Sequence, residues 1–123
     1  MAKSDSIAGQ YQITIITDDD QKAAKVDPDP ARVGRGSKIS FTSKHSGRKA
    51  GFTLQLAFPG KIICDPSGGG RSLNNLKLLS NNTVSAMTCK GVPAGTYKYK
   101  VSLIDGDGSS IDLAAPSLIF NGD

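Results

Sequence analysis

The chain has 123 residues, the size of a single domain with one core and no comfortable room for a second. Its 15 basic and 11 acidic residues give a formal charge of +4, a modest excess that supports only weak attraction to polyanions, so a dedicated nucleic-acid binder is not expected. No apolar run approaches the roughly 20 residues needed to span a bilayer, so a transmembrane helix is excluded.

All acidic residues are Asp and none is Glu, while Gly, Ser, Asn and Pro are plentiful. Asp, Asn and Ser compete with helical hydrogen bonds and favour turns and caps, so the composition predicts strands joined by turns. The opening Met1-Ala-Lys-Ser-Asp-Ser6 is polar, and residues 1–10 read as a flexible segment ahead of one domain over 11–121. Tyr11 to Thr17 is too short and polar for a secretory core, which predicts a cytoplasmic chain; the alternative is a periplasmic or secreted protein whose signal has been removed.

The first strand is predicted at Tyr11 to Thr17, where Tyr11, Ile13 and Ile15 share a face. Asp18 to Pro30 is rich in turn residues, and Pro28 and Pro30 bar a central strand there. Val33-Gly-Arg-Gly36 turns the chain into a strand from Lys38 to Ser43, with Ile39 and Phe41 on one side. The clearest alternation is Phe52 to Phe58, stopped by Pro59-Gly60. Pro66 to Arg71 reads as a flexible loop, and Ser72 to Ser80 is open between irregular chain, a helical turn and a weak strand. Thr83 to Cys89 returns to the sheet, and Gly91 to Gly95 turns into Thr96 to Leu103, where Tyr97, Tyr99, Val101 and Leu103 face inward. Asp105 to Gly108 reads as a hairpin turn and Ser117 to Phe120 as the last strand. Seven to eight short strands without a helical period predict an all-β, two-sheet sandwich.

Several of these segments occur in a recognisable order: Val26-Asp-Pro-Asp29, Gly36-Ser-Lys-Ile-Ser-Phe41, the loop into Phe52-Thr-Leu-Gln-Leu56, and Pro93-Ala-Gly-Thr-Tyr-Lys-Tyr-Lys-Val101. Over roughly residues 11 to 120 this order resembles the cupredoxin family of plastocyanin-like Greek-key sandwiches. The closing Asp112 to Phe120 is similar to the ending of bacterial cupredoxin-like proteins of unassigned function. The resemblance implies the fold but not its cofactor. A blue-copper centre needs two His nitrogens and a Cys thiolate, commonly with an axial Met. In the family pattern the Cys falls where this chain has Val101, one His where it has Ile104, and the other His near Gly51-Phe52. His45, the single histidine, is read as lying in the preceding loop. A type 1 copper site is therefore not expected, no cofactor is assigned, and electron transfer is set aside.

His45, Cys64, Met87 and Cys89 have the residue types for a different soft-metal site, such as one for Cu(I). The plainer reading makes Met87 and Cys89 core side chains, or joins Cys64 to Cys89 in a disulfide worth about 3 kcal/mol in the chain-entropy model. Lys44, Arg48 and Lys49, with Arg32, Arg35 and Lys38 near in sequence, read either as a positive patch for an acidic partner or as a solvated loop. Asp105, Asp107 and Ser109 suggest a calcium loop, but Ser110 and Pro116 stand where an EF-hand needs Gly and Glu. Gly68 to Ser72 lacks the Gly-Lys-Ser/Thr of a phosphate loop, and Asn81-Asn-Thr83 fits a glycosylation acceptor that matters only in a secretory pathway. A nucleophile needs a base at hand, and His45 has no partner legible in sequence, so an enzyme is not expected. The leading reading is a copper-free binding module with a macromolecular partner; a metal-handling protein and a hydrolase are the alternatives.

Overall fold

The computed structural model describes residues 10–19, 23–47, 53–65, 71–104 and 108–120. They form thirteen short strands: β1 (Gln10–Asp18), β2 (Lys25–Asp27), β3 (Ala31–Val33), β4 (Lys38–Ser46), β5 (Thr53–Ala57), β6 (Ile63–Cys64), β7 (Ser72–Leu73), β8 (Asn75–Leu79), β9 (Thr83–Thr88), β10 (Gly95–Lys98), β11 (Lys100–Ile104), β12 (Ser110–Ala114) and β13 (Ser117–Phe120). The all-β, two-sheet expectation is borne out. The number exceeds seven or eight partly because long strands are interrupted: β10 and β11 part only at Tyr99, and β12 and β13 at Ala115-Pro116.

One layer has the order β2-β1-β4-β9-β6-β7. In the other, β10-β13-β3 and β12-β11-β5-β8 run on from one another through the two interrupted strands. The chain changes layer on each side of β3, β5 and β8 and again between β9 and β10, so both layers combine strands from separate parts of the chain. β1 and β4 run parallel, from Gln10 opposite Lys38 to Asp18 opposite Ser46. We call the end where they start the lower end and the end where they finish the upper end.

Period-two sequence produces the core. Ile13, Ile15, Ile39 and Phe41 from the first layer meet Leu54, Leu56, Val101 and Leu103 from the second, all fully buried. Removing each such side chain from water contributes about 1.5–3 kcal/mol. Phe41, Phe58 and Tyr99 form an aromatic cluster with centroids 5.3–5.9 Å apart, and Tyr97 meets Phe120 edge-on at 5.6 Å. The outward positions differ between layers. On the first, hydroxyls pair across strands, Ser40 with Ser85 at 3.0 Å and Thr42 with Thr83 at 2.9 Å. On the second, Asp112 accepts from Ser102 at 3.0 Å and pairs with Lys100 at 3.5 Å.

Four sequence expectations are changed or settled. The open segment 72–80 is strand, β7 and then β8, because Leu76 and Leu78 follow the β5 register opposite Leu56 and Leu54. Ala31 to Val33, where the sequence predicts no strand and Val33 is expected in a turn, forms β3, paired in parallel with β13. His45 is not in a loop: β4 runs on through Ser46, with His45 opposite Thr17. Cys64 and Cys89 are joined in a disulfide across 25 positions, which favours an oxidising compartment over the expected cytoplasmic one. Of the segment 1–10 only Gln10, the first residue of β1, is among the described residues.

Candidate functional site

The two ends of the sandwich carry different chemistry. At the upper end, Thr17 and His45 are partners on adjacent strands and face inward. His45 Nδ1 lies 2.9 Å from Thr17 Oγ1, and its Nε2 lies 2.8 Å from Asp19 Oδ1. With the proton on Nε2, the ring donates to the Asp19 carboxylate and accepts from the Thr17 hydroxyl. The His45 side chain is 1% exposed, against 41% for Asp19. Its backbone N–H donates to Asn81 Oδ1 at 3.0 Å, tying the β8–β9 turn to β4. Asn81 is in the left-handed region, which Asn tolerates because its side chain bonds locally. Gly47 lies against Asp19, where a β-carbon would overlap the carboxylate. A shallow cavity of about 380 Å³ opens beside this network, between Ile16–Asp18, Ala23–Lys25 and Ser46.

An aspartate, a histidine and a hydroxyl in line invite comparison with a nucleophile and its base. The chemistry does not follow, because Thr17 is only 2% exposed, with its hydroxyl turned into the sandwich and bonded to His45. A nucleophile has to meet its substrate. The arrangement supplies two ring hydrogen bonds and a strand-end lock, and the hydrolase alternative finds no accessible attacking group in it.

The lower end is braced by other means. Gly36 N–H donates to Thr88 O at 3.0 Å, and Thr88 N–H returns a bond to Ser37 O at 2.8 Å. The buried Thr88 hydroxyl accepts from Ser37 N–H at 2.9 Å and donates to Gly34 O. Arg35 Nε donates to the Val92 carbonyl. On the other flank Cys89 N–H donates to Ile62 O at 2.9 Å, beside the Cys64–Cys89 bridge. Gly36 has a φ of +64°, and a β-carbon there would sit 3.2 Å from Lys90 Cγ, so the tight turn and the close approach of Lys90 both call for glycine. These bonds bring the turn around Arg35–Ser37, the loop ending at Ile62 and the turn after Cys89 into one braced unit. It carries Arg35, Lys38, Lys61 and Lys90, and the three lysines are exposed.

The expected site residues are therefore dispersed. Lys44 and Lys38 both point outward from β4, but six residues of strand, roughly 20 Å, separate them. The single patch joining Lys44 to Arg35 and Lys38 does not form; Arg48 and Lys49 lie outside the described residues. Cys64 and Cys89 are bonded to each other near the lower end while His45 is near the upper, so the proposed soft-metal quartet is not assembled. Among the described residues no three His, Cys, Asp or Glu side chains are grouped to hold a metal. Val101 is fully buried opposite Leu56, and Ile104 is half-buried opposite Thr53 and Ser110. Gly51, Phe52, Gly68, Asp105 and Asp107 also lie outside the described residues.

Lys61, Lys90 and the Thr17–Asp19 partners of His45 were missed in sequence. A signal for the lysines was present: Lys61 stands three residues before Cys64 and Lys90 immediately after Cys89, so any bridge between the cysteines brings them together. No comparable signal marks Thr17 and Asp19, which meet His45 through a parallel pairing that local pattern does not encode.

No family model matches the chain, and no curated protein matches it. Among solved structures it is similar to dithionite-reduced auracyanin from the photosynthetic bacterium Roseiflexus castenholzii, at 12% identity over 93% of this chain and 98% of that one, with a TM-score of 0.45. At that identity no residue role is carried across.

Proposed function

We propose that this chain is a copper-free, cupredoxin-like binding module that works outside the cytoplasm and recognises a macromolecular partner through its surface. The observation that carries the reading is the occupancy of the places where the resemblance implies copper ligands: Val101, fully buried in the core, and Ile104. Neither side chain offers a donor atom, and both sulfurs of the chain's cysteines are committed to each other near the opposite end. The bridge also supports the extracytoplasmic placement, since cytosolic thiols are kept reduced. The test is to add Cu(II), and Cu(I) under reduction, to the folded protein and measure retained metal after desalting. No stoichiometric retention is expected; one equivalent retained, and lost on Cys89→Ala, overturns the reading.

That second outcome corresponds to the metal-handling alternative, which one observation favours. Cys64 and Met87 are partners on β6 and β9, so reduction of the bridge would leave three sulfurs, from Cys64, Met87 and Cys89, close together. The reducing arm of the same experiment decides between the two.

A further inference from the structure

We infer that the lower end of the sandwich is a docking surface for an anionic lipid bilayer. The inference rests on the binding-module reading and gives it a partner. Lys38, Lys61 and Lys90 are exposed there and make no ion pair with any described residue, while Arg35 is half-buried and braces the unit through Val92 O. The described acid nearest in sequence to the cluster is Asp65, one residue past Cys64, whose backbone N–H bonds Arg71 O.

The bracing makes this charge pre-arranged. Three chain segments far apart in sequence are held together by the Cys64–Cys89 bridge and by bonds from Gly36, Ser37, Thr88 and Cys89, so little order has to be created on binding. The shape of the site selects the partner. The described cavity lies at the opposite end, beside Thr17 and Ser46, and the lysines stand at the ends of three neighbouring strands, Lys38 on β4, Lys90 after β9 and Lys61 before β6, side by side across the rim of one layer. An acidic peptide added to the free edge of this layer would run along β7, not across the three strand ends that carry the lysines. A broad anionic surface meets the outward-pointing lysines together. The bases of a nucleic acid would find little to stack on, since the tyrosines Tyr11 and Tyr97 are both half-buried and packed against the core, with the Tyr97 hydroxyl bonded to Pro93 O at 2.7 Å.

The test is co-sedimentation of the full chain with vesicles of phosphatidylcholine, with and without phosphatidylglycerol. Binding is expected only to the anionic vesicles and is expected to fall with added salt. Each lysine near such a surface contributes roughly fivefold in partitioning, the equivalent of about 1 kcal/mol, so Lys61→Glu with Lys90→Glu should lower it at least about twentyfold. The pair Lys44→Glu with Lys77→Glu changes net charge equally but away from this end, and should leave most of the binding intact. Circular dichroism checks the fold of both pairs, and Lys61→Gln with Lys90→Gln replaces the first pair if charge reversal unfolds it. Equal partitioning into both vesicle types, equal loss in both pairs, or capture by poly-aspartate without vesicle binding each overturns the inference. None of these outcomes bears on the copper experiment, so the failure of one reading is distinct from the failure of the other.

Discussion

The two ends of this sandwich meet the same problem, tying neighbouring strand ends of the first layer together, with opposite chemistry. The upper end is held by a non-covalent network centred on the buried His45, whose hydrogen bonds are worth having because their donors and acceptors are withdrawn from water. The lower end is held by a covalent bridge, backbone bonds and the side chains of Thr88 and Arg35, which leaves its lysines pointing outward. A polar lock uses up its charged and polar side chains on itself, whereas a covalent brace leaves its lysines exposed for a partner.

The contrast can be broken at the covalent side first. Replacing Cys64 and Cys89 together by Ala is expected to cost about 3 kcal/mol in urea unfolding, with a lower midpoint and more hydrogen exchange at Thr88 and Cys89. A loss confined to the upper end would contradict the assignment of the brace. His45→Ala should come next, at about 2 kcal/mol, since it leaves the buried Thr17 hydroxyl without its partner and opens a gap. An unchanged midpoint would show that the network contributes nothing to tying these strand ends together.

A third test uses Tyr99, which lies in the core between the ends. Burial, and then the negative charge of Asp29, raises its pKa well above the ordinary value of 10.0. The folded chain therefore keeps this proton when the unfolded chain has lost it. The sign follows: the stabilisation is complete below about pH 10 and is lost as pH rises beyond it, by up to about 1.4 kcal/mol per pH unit. Denaturation at increasing alkaline pH should show this slope, and Tyr99→Phe should remove Tyr99's share of it. At neutral pH the same substitution should be neutral or stabilising by about 1 kcal/mol, because the Tyr99 hydroxyl is buried without a hydrogen-bond partner among the described residues. The smallest effect is expected at the exposed lysines: Lys61→Gln should leave the unfolding midpoint in place, which separates binding charges from structural ones.

What sequence made legible follows from which interactions are local. Alternation placed β1, β4, β5 and the β10–β11 strand, because every second residue from Ile13, Ile39, Leu54 or Val101 has to enter the core. It failed at β3 and β6, which are three and two residues long and too short to show a period. That Val101 and Ile104 stand at copper-ligand positions is implied by the resemblance alone, since periodicity marks Val101 only as a core residue. The distribution of charge was hidden because closeness in sequence is not closeness in space: Lys38 and Lys44 share a strand yet stand at its two ends, while Lys61 and Lys90 flank the paired strands β6 and β9. The role of His45 was hidden for the same reason, since both ring partners come from β1 and the residue after it.

That partnership sets a condition on how the chain folds. Thr17 and His45 are 28 positions apart, and the nine-residue parallel ladder between β1 and β4 has the same separation throughout. Parallel strands cannot close by a hairpin, so β1 has to wait, unpaired on that side, until β2, β3 and the turn at Gly36 have been laid down. Such long-range closure slows folding, because loop entropy is lost before any contact compensates for it. During that wait the apolar stretch Ile13-Thr-Ile-Ile16 is the segment a neighbouring nascent chain could capture. Its one early guard is the antiparallel neighbour β2, a strand of three residues carrying Lys25 and Asp27 and ended by Pro28.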